Sequence, residues 1–163
     1  MKRLLIVWHS RTGVAQAMAE AAARGAAGEP EIEVALIGAE NLTAADIIAA
    51  DGYIFAAPEN LGTLSGVMKE AFDRTYYDVI DRVSGRPYAQ MIAAGSDGTG
   101  AARQLARIVT GWRLKVVAEP LIVCTNAQTP GAISASKQVK AQDLARASDR
   151  GTALAAGLSM GVF

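Results

Sequence analysis

Three short segments of this chain hold residues suited to gripping a small polar ligand. The first, Ser10-Arg11-Thr12-Gly13, follows the apolar run Leu4 to Trp8 and precedes residues with helical spacing. Hydroxyls and free backbone N–H groups there face the positive end of a helix dipole, which suits a phosphate. Gly13 lets the backbone approach closely, and Arg11 adds a charge-assisted contact. The same residues read equally as a helix cap in an ordinary strand-to-helix turn. The second segment, Pro58-Glu59-Asn60-Leu61-Gly62-Thr63-Leu64, is long for such a connection and poor in core residues. Loops of this length more often serve a ligand than mere connectivity. Backbone amides from Asn60 to Thr63 suit the polar edge of a flat heterocycle, with Leu61 or Pro58 over its face; otherwise the loop leads only to Ser65 as a helix cap. The third, Gly95-Ser96-Asp97-Gly98-Thr99-Gly100, suits wrapping a ring or sugar, and equally a tight turn with a cap at Asp97 or Thr99. No G-x-G-x-x-G and no G-K-[ST] occurs, so neither a dinucleotide fingerprint nor a P-loop is present.

The elements that must position these segments alternate along the chain. Leu4 to Trp8 reads as a buried strand, and Val14, Ala17, Met18, Ala21 and Gly25 form a helical stripe over 14–25. Gly25, Gly28 and Pro30 are expected to end that helix. Ile32, Val34 and Leu36 suggest a more exposed second strand. Thr43-Ala44-Ala45-Asp46 is a capping-box pattern opening a short helix to Ala50. Residues 52–57 read as a third strand stopped by Pro58. A helix then carries Leu64, Val67, Met68, Ala71, Phe72 and Thr75, and 88–94 is a fourth strand. Leu105, Ile108, Val109 and Trp112 mark another helix, and 116–123 a fifth strand broken by Pro120. A last helix is expected from about Ser136 to Leu158. Strict alternation predicts an α/β three-layer sandwich, a five-stranded parallel sheet with helices on both faces. Right-handed crossovers place every strand-to-helix loop at the carboxyl edge. With strand order 2-1-3-4-5, the segments at 9–15, 58–64 and 95–100 should meet at one crevice.

Composition narrows the function. The 163 residues are one domain's worth, so 1–163 is expected to form a single unit. Lys+Arg and Asp+Glu are 16 each, a net charge of zero that removes the electrostatic case for a nucleic-acid binder. With 51% hydrophobic residues the chain must collapse rather than stay disordered. No apolar run is long enough to span a membrane, and Leu4 to Trp8 is too short for a signal segment. A cytoplasmic protein is the expectation. Cys124 is the single cysteine and reads as an inert core thiol, with neither a disulfide nor a metal site in reach. His9, the single histidine, reads as a turn residue bonded to backbone. Asp73, Asp78, Arg74 and Arg82 look like a solvated helix face with local ion pairs. Trp8, Trp112 and the Tyr76-Tyr77 pair default to packing rather than an interface, and Arg103 and Arg107 lie one helical turn apart.

Taken together the three segments resemble the flavodoxin superfamily, including its NAD(P)H-dependent FMN and quinone reductases. Ser10-Arg11-Thr12-Gly13-Val14-Ala15 is similar to that family's S-x-T-G-x-T phosphate loop. Gly62-Thr63-Leu64-Ser65-Gly66, followed by Lys69, Phe72 and Asp73, is similar to its G-x-x-S-G and K-x-x-x-D segment and is the more specific match. The resemblance covers nearly the whole chain in element order. It implies a flavodoxin-like fold and non-covalent FMN. Ser10, Arg11, Thr12, Gly13, Val14 and Ala15 would hold the phosphate. Pro58, Glu59, Asn60, Leu61, Gly62 and Thr63 would border the isoalloxazine, and Gly95, Ser96, Asp97 and Gly98 would close the other side.

Three departures qualify what the resemblance implies. Ala15 stands where the family usually has Thr, removing a hydrogen bond to a charged group worth roughly 1.5–3 kcal/mol unless Arg11 compensates. Glu59 brings a carboxylate near a ring that becomes anionic when fully reduced, disfavouring that form if it points inward. The 58–64 and 95–100 segments lack the aromatics with which electron-carrier flavodoxins sandwich the ring, and the chain is not acidic as those carriers are. These features favour an oxidoreductase that accepts hydride from NAD(P)H and passes electrons through FMN to a quinone or similar small acceptor, with no catalytic side chain assignable. A flavodoxin-type electron carrier without its own substrate, or a binding protein of this fold that has lost FMN, are the alternatives. A phospho-receiver domain shares the fold but needs acidic residues where His9, Ala56 and Ala57 stand. In many reductases of this fold a neighbouring subunit completes the site, which leaves a homodimer open.

Overall fold

Strand β1 (Lys2–Trp8) alternates its buried residues between two faces. Leu4 and Ile6 point to one side of the sheet, and Leu5 and Val7 to the other. This two-sided burial is the signature of a strand in the middle of a parallel sheet. The computed structural model, which describes residues 1–163, bears this out. After β1 the chain forms α1 (Val14–Ala26), β2 (Ile32–Gly38), a 3-10 turn at Ala39–Asn41, α2 (Ala44–Ala49), β3 (Gly52–Asn60), β4 (Thr63–Leu64), α3 (Gly66–Val79) and β5 (Pro87–Ala94). Then come α4 (Thr99–Gly111), β6 (Lys115–Val116), β7 (Leu121–Cys124), α5 (Pro130–Ser134) and α6 (Ala141–Met160). The sheet order is β2-β1-β3-β5-β6, with β7 also pairing β5 and every one of these pairs parallel. That is the expected order, with the last strand in two pieces on either side of Pro120.

Each face of the sheet carries its own core. On one side Leu5, Val7 and Phe55 meet α2, α3 and α4, where Phe55, Phe72 and Trp112 form a chain of tilted and edge-on rings 5.1 Å apart. On the other side Leu4, Ile6, Ile54 and Met91 meet α1 and α6 through Met18, Leu154 and Leu158. Fully burying each such side chain contributes roughly 1.5–3 kcal/mol. The capping box at the start of α2 forms as expected, with Thr43 and Asp46 each accepting the other's backbone N–H.

Four expectations from the sequence need correction. Gly25 lies inside α1 rather than ending it. A Cβ at Gly25 would sit 2.1 Å from the Ser148 carbonyl oxygen, and one at Gly151 would sit 1.9 Å from that of Ala22. These glycines let α1 and α6 touch backbone to backbone. Pro58 does not stop β3, because its carbonyl still accepts the Ser65 N–H and the strand runs on to Asn60 to form a hairpin with β4. The last helix begins at Ala141 rather than near Ser136, since Lys137 donates its backbone N–H to the Thr12 carbonyl instead of to a helical turn. Cys124 is exposed at the end of β7 rather than in the core. On the α3 face the ion pairs are Lys69–Asp73 and Glu70–Arg74, so Asp78 and Arg82 take no part.

Candidate functional site

The turn from β1 into α1 is short and held by its own hydroxyl. Ser10 Oγ accepts the Gly13 N–H at 3.0 Å, and Gly13 itself has φ 100°, a left-handed conformation that favours glycine. No side chain caps α1. The N–H groups of Val14, Ala15 and Gln16 have no acceptor within the chain, although Val14 and Ala15 are buried. Three buried or half-buried donors pointed at one place, on the positive end of a helix, form a cradle for an anion. Arg11 beside it is exposed and forms no ion pair.

The second segment is a hairpin whose two-residue tip, Leu61-Gly62, has φ of 53° and 77°. Such a turn suits the twist of the flanking strands. Leu61 is fully exposed at that tip. The Glu59 carboxylate does not point free into the crevice. It accepts the Gly98 N–H at 2.9 Å and the Ala101 N–H at 3.0 Å, and so caps α4 from 42 residues away. The hairpin and α4 are in close contact, since a Cβ at Gly100 would meet the Gly62 carbonyl oxygen at 2.1 Å. The N-cap position itself is Gly98, but Asp97 does take a first-turn donor of α4, accepting the Thr99 N–H at 3.2 Å together with the Thr99 hydroxyl at 2.7 Å. That bond to the Thr99 hydroxyl, and then the Thr99 N–H, hold the Asp97 carboxyl below its usual range.

His9 is bonded differently from the sequence expectation. Its ring Nδ1 pairs with the buried Ser65 hydroxyl at 2.9 Å, while its backbone N–H goes to Ala56. Ser65 therefore opens α3 without spending its hydroxyl on the helix. The pair ties the end of β1 to the start of α3. Burial pushes the His9 pKa down; Glu40 pulls it up, and Arg11 adds to the lowering. The Cys124 thiol is pushed up, first by the protein packed on one side of it and then by Asp97 and Glu59.

A single cavity of about 400 Å³ joins these segments, within the roughly 300–1,000 Å³ of small-molecule sites. Ser10, Arg11, Thr12, Val14 and Ala15 line it from the first segment, Pro58, Glu59 and Asn60 from the second, and Gly95 from the third. Gly13, Leu61, Gly62, Thr63, Ser96, Asp97 and Gly98 stand behind or beside that wall rather than in it. Ala93 and Ala94 form part of its floor. A fourth wall comes from the connection between β7 and α6 through Thr125, Ala127, Ile133, Ser134 and Lys137. The sequence held a signal for it: Thr129-Pro130 is a helix start, and Thr129 does cap α5 by accepting the Ala132 N–H.

Comparisons with known proteins agree with this architecture. Residues 38–129, more than half of the chain, match the family described as NADPH-dependent FMN reductase. A protein of Aquifex aeolicus named flavodoxin is 32% identical over 100 residues, which are 61% of this chain and 54% of that protein. The match thus spans about half the length of that relative. A flavodoxin structure from the domain Archaea superposes with a TM-score of 0.78 at 17% identity, over 96% of this chain and 99% of that one. A flavodoxin, WrbA-like protein from Agrobacterium tumefaciens does so with a TM-score of 0.67 at 20% identity, over 96% of each chain. The fold is flavodoxin-like, and the chain belongs to the NADPH-dependent FMN reductase family.

Proposed function

We propose that the cavity at the carboxyl edge of the sheet holds non-covalent FMN and that the protein passes electrons from NAD(P)H to a quinone or similar small acceptor. The observation that carries this reading is the set of unpaired N–H groups of Val14, Ala15 and Gln16, flanked by the Ser10 and Thr12 hydroxyls. These groups fit a phosphate monoester, and the Pro58, Asn60 and Gly95 side of the same cavity fits the flat ring. Bound there, FMN supplies the hydride-accepting ring, and the protein supplies position and electrostatics. Arg11 adds positive charge at the phosphate end. Glu59, committed to Gly98 and Ala101, holds the hairpin against the third segment and so sets the width of the ring end. Gly62 adds no side chain to the hairpin tip and Leu61 projects from it fully exposed, an apolar contact that suits a nicotinamide or an acceptor. No helix is long and apolar enough to cross a membrane, and a cytoplasmic site of action fits that.

A second reading, an electron carrier without its own substrate, is favoured by the relative named flavodoxin. Titration with FMN, followed by flavin fluorescence, tests the shared part of the two. Saturation at or below tens of micromolar is expected, and a protein that ignores FMN at that level has lost the cofactor. NADPH or NADH oxidation by the FMN-loaded protein with an added quinone then separates them. Catalysed turnover supports the reductase, and binding without turnover supports the carrier.

A further inference from the structure

We infer that Lys137, carried on the segment between β7 and α6, is a second cationic holder of the ligand's phosphate and makes the site select a phosphorylated flavin over riboflavin. The inference rests on the FMN reading and deepens it by naming what recognises the phosphate. Lys137 and Ser134 line the same cavity as Ser10, Arg11 and Thr12. Their placement is fixed by the backbone, since the Lys137 N–H donates to the Thr12 carbonyl at 2.9 Å. The Lys137 carbonyl comes within 3.7 Å of where a Cβ on Gly13 would lie, so the segment rests directly on the phosphate turn.

The charge of Lys137 has no acidic partner. Its Nζ donates to the Ile133 and Ala135 carbonyls at 2.8 and 2.9 Å, and no carboxylate pairs with it. An ammonium has three donors, so two carbonyls leave one free. The two carbonyls also limit the wandering of a long side chain, which lowers the entropy cost of using it. Arg11 is likewise without a carboxylate, and the one carboxylate of the cavity wall, Glu59, has both oxygens engaged by α4. The end of the cavity near the α1 turn therefore carries two unneutralised cations from two separate segments. This answers the deficit at position 15, where Ala15 has no hydroxyl to give. A cation from the far wall replaces a hydroxyl from the near one.

The test compares FMN with riboflavin, which differ only in the phosphate, on the full chain and its Lys137→Gln and Lys137→Arg variants. The segment is exposed, and unchanged circular dichroism checks that the variants fold. Lys137→Gln is expected to weaken FMN by about 10- to 100-fold while leaving riboflavin unchanged. Lys137→Arg, which keeps the charge, should stay within about threefold of the wild type for FMN. An equal loss for both ligands would mean that Lys137 only shapes the wall, and no loss for FMN would mean that it touches nothing; either overturns the inference. A wild-type protein that binds neither ligand removes the FMN reading itself, and this inference with it. That outcome is read from the unmutated chain alone.

Discussion

Helices α1 and α4 start at the same edge of the sheet in the same way, and their first turns end up in opposite states. Each follows a glycine in the left-handed region, Gly13 at φ 100° and Gly98 at φ 89°, and neither is capped by its own N-cap side chain. At α4 carboxylates of the molecule itself take the donors, Glu59 the N–H groups of Gly98 and Ala101 and Asp97 that of Thr99. At α1 the corresponding donors, on Val14, Ala15 and Gln16, are left for something else. The contrast teaches that one helix dipole at this edge is answered by a built-in anion and that the other is left for the anion proposed above. A helix end finished by a distant carboxylate serves as structure. A helix end left unfinished, beside two cations that no carboxylate pairs, is what the proposed phosphate site requires.

The contrast can be broken at its structural end first. Gly98→Ala is the most damaging change expected, because the new Cβ would meet the Ile122 side chain at 2.6 Å in a backbone conformation that L residues rarely adopt. Overpacking and left-handed strain together should cost about 3 kcal/mol in urea unfolding. Glu59→Ala should cost about 2 kcal/mol, since it leaves two α4 donors without a partner in a half-buried place. If the variant proves as stable as the wild type, the built-in anion is dispensable and the comparison fails. At α1 the expectation reverses. Changing Ser10 and Thr12 together to Ala should leave unfolding within about 1 kcal/mol of the wild type yet weaken FMN about tenfold. A large stability loss with unchanged FMN affinity would make that turn structural as well.

The smallest effect belongs to His9, which joins the α1 turn to α3. Its folded pKa lies below the ordinary histidine value near 6.5, burial being the main cause. The unfolded chain therefore binds the proton more readily than the folded one. The neutral pair with Ser65 contributes stability that is full above pH 6.5 and is lost as the pH falls through the lowered folded value. Unfolding measured at pH 7.5 and pH 5.5 should show a larger loss in the wild type than in His9→Gln. Equal losses would assign the acid sensitivity elsewhere.

Much of this architecture was legible in the chain. Alternating apolar runs and helical stripes predicted the parallel sheet and its order, and the three segments at its edge do meet at one cavity. What escaped had physical reasons. Pro58 reads as a breaker, yet a proline on a strand whose carbonyl is still used can continue it, so the hairpin at 59–64 looked like an irregular loop. Gly25 reads as a stop signal, whereas its role is contact with α6, and contact across 120 or more residues leaves no local mark. Glu59 as the cap of α4 is hidden for the same reason, as caps are sought next to the helices they finish. Of the wall at 125–140, residues 125–135 carry no strand or long-helix pattern, and 136–140 read as the start of the last helix because lysine and glutamine have good helical propensity. Only the backbone bond from Lys137 to Thr12 shows otherwise.

Cys124 gives the molecule a property of practical use. It is the single thiol of the chain, exposed at the end of β7 next to Thr125 of the cavity wall, with its sulfur 3.6 Å from the Asp97 carbonyl oxygen. A thiol-reactive fluorophore added to the unaltered protein attaches at one address, with a stoichiometry of one. Because the thiolate is disfavoured there, coupling runs slower at neutral pH than on a free cysteine and quickens in mildly alkaline buffer. The dye then sits beside the third segment, a position from which the proposed FMN binding can be followed.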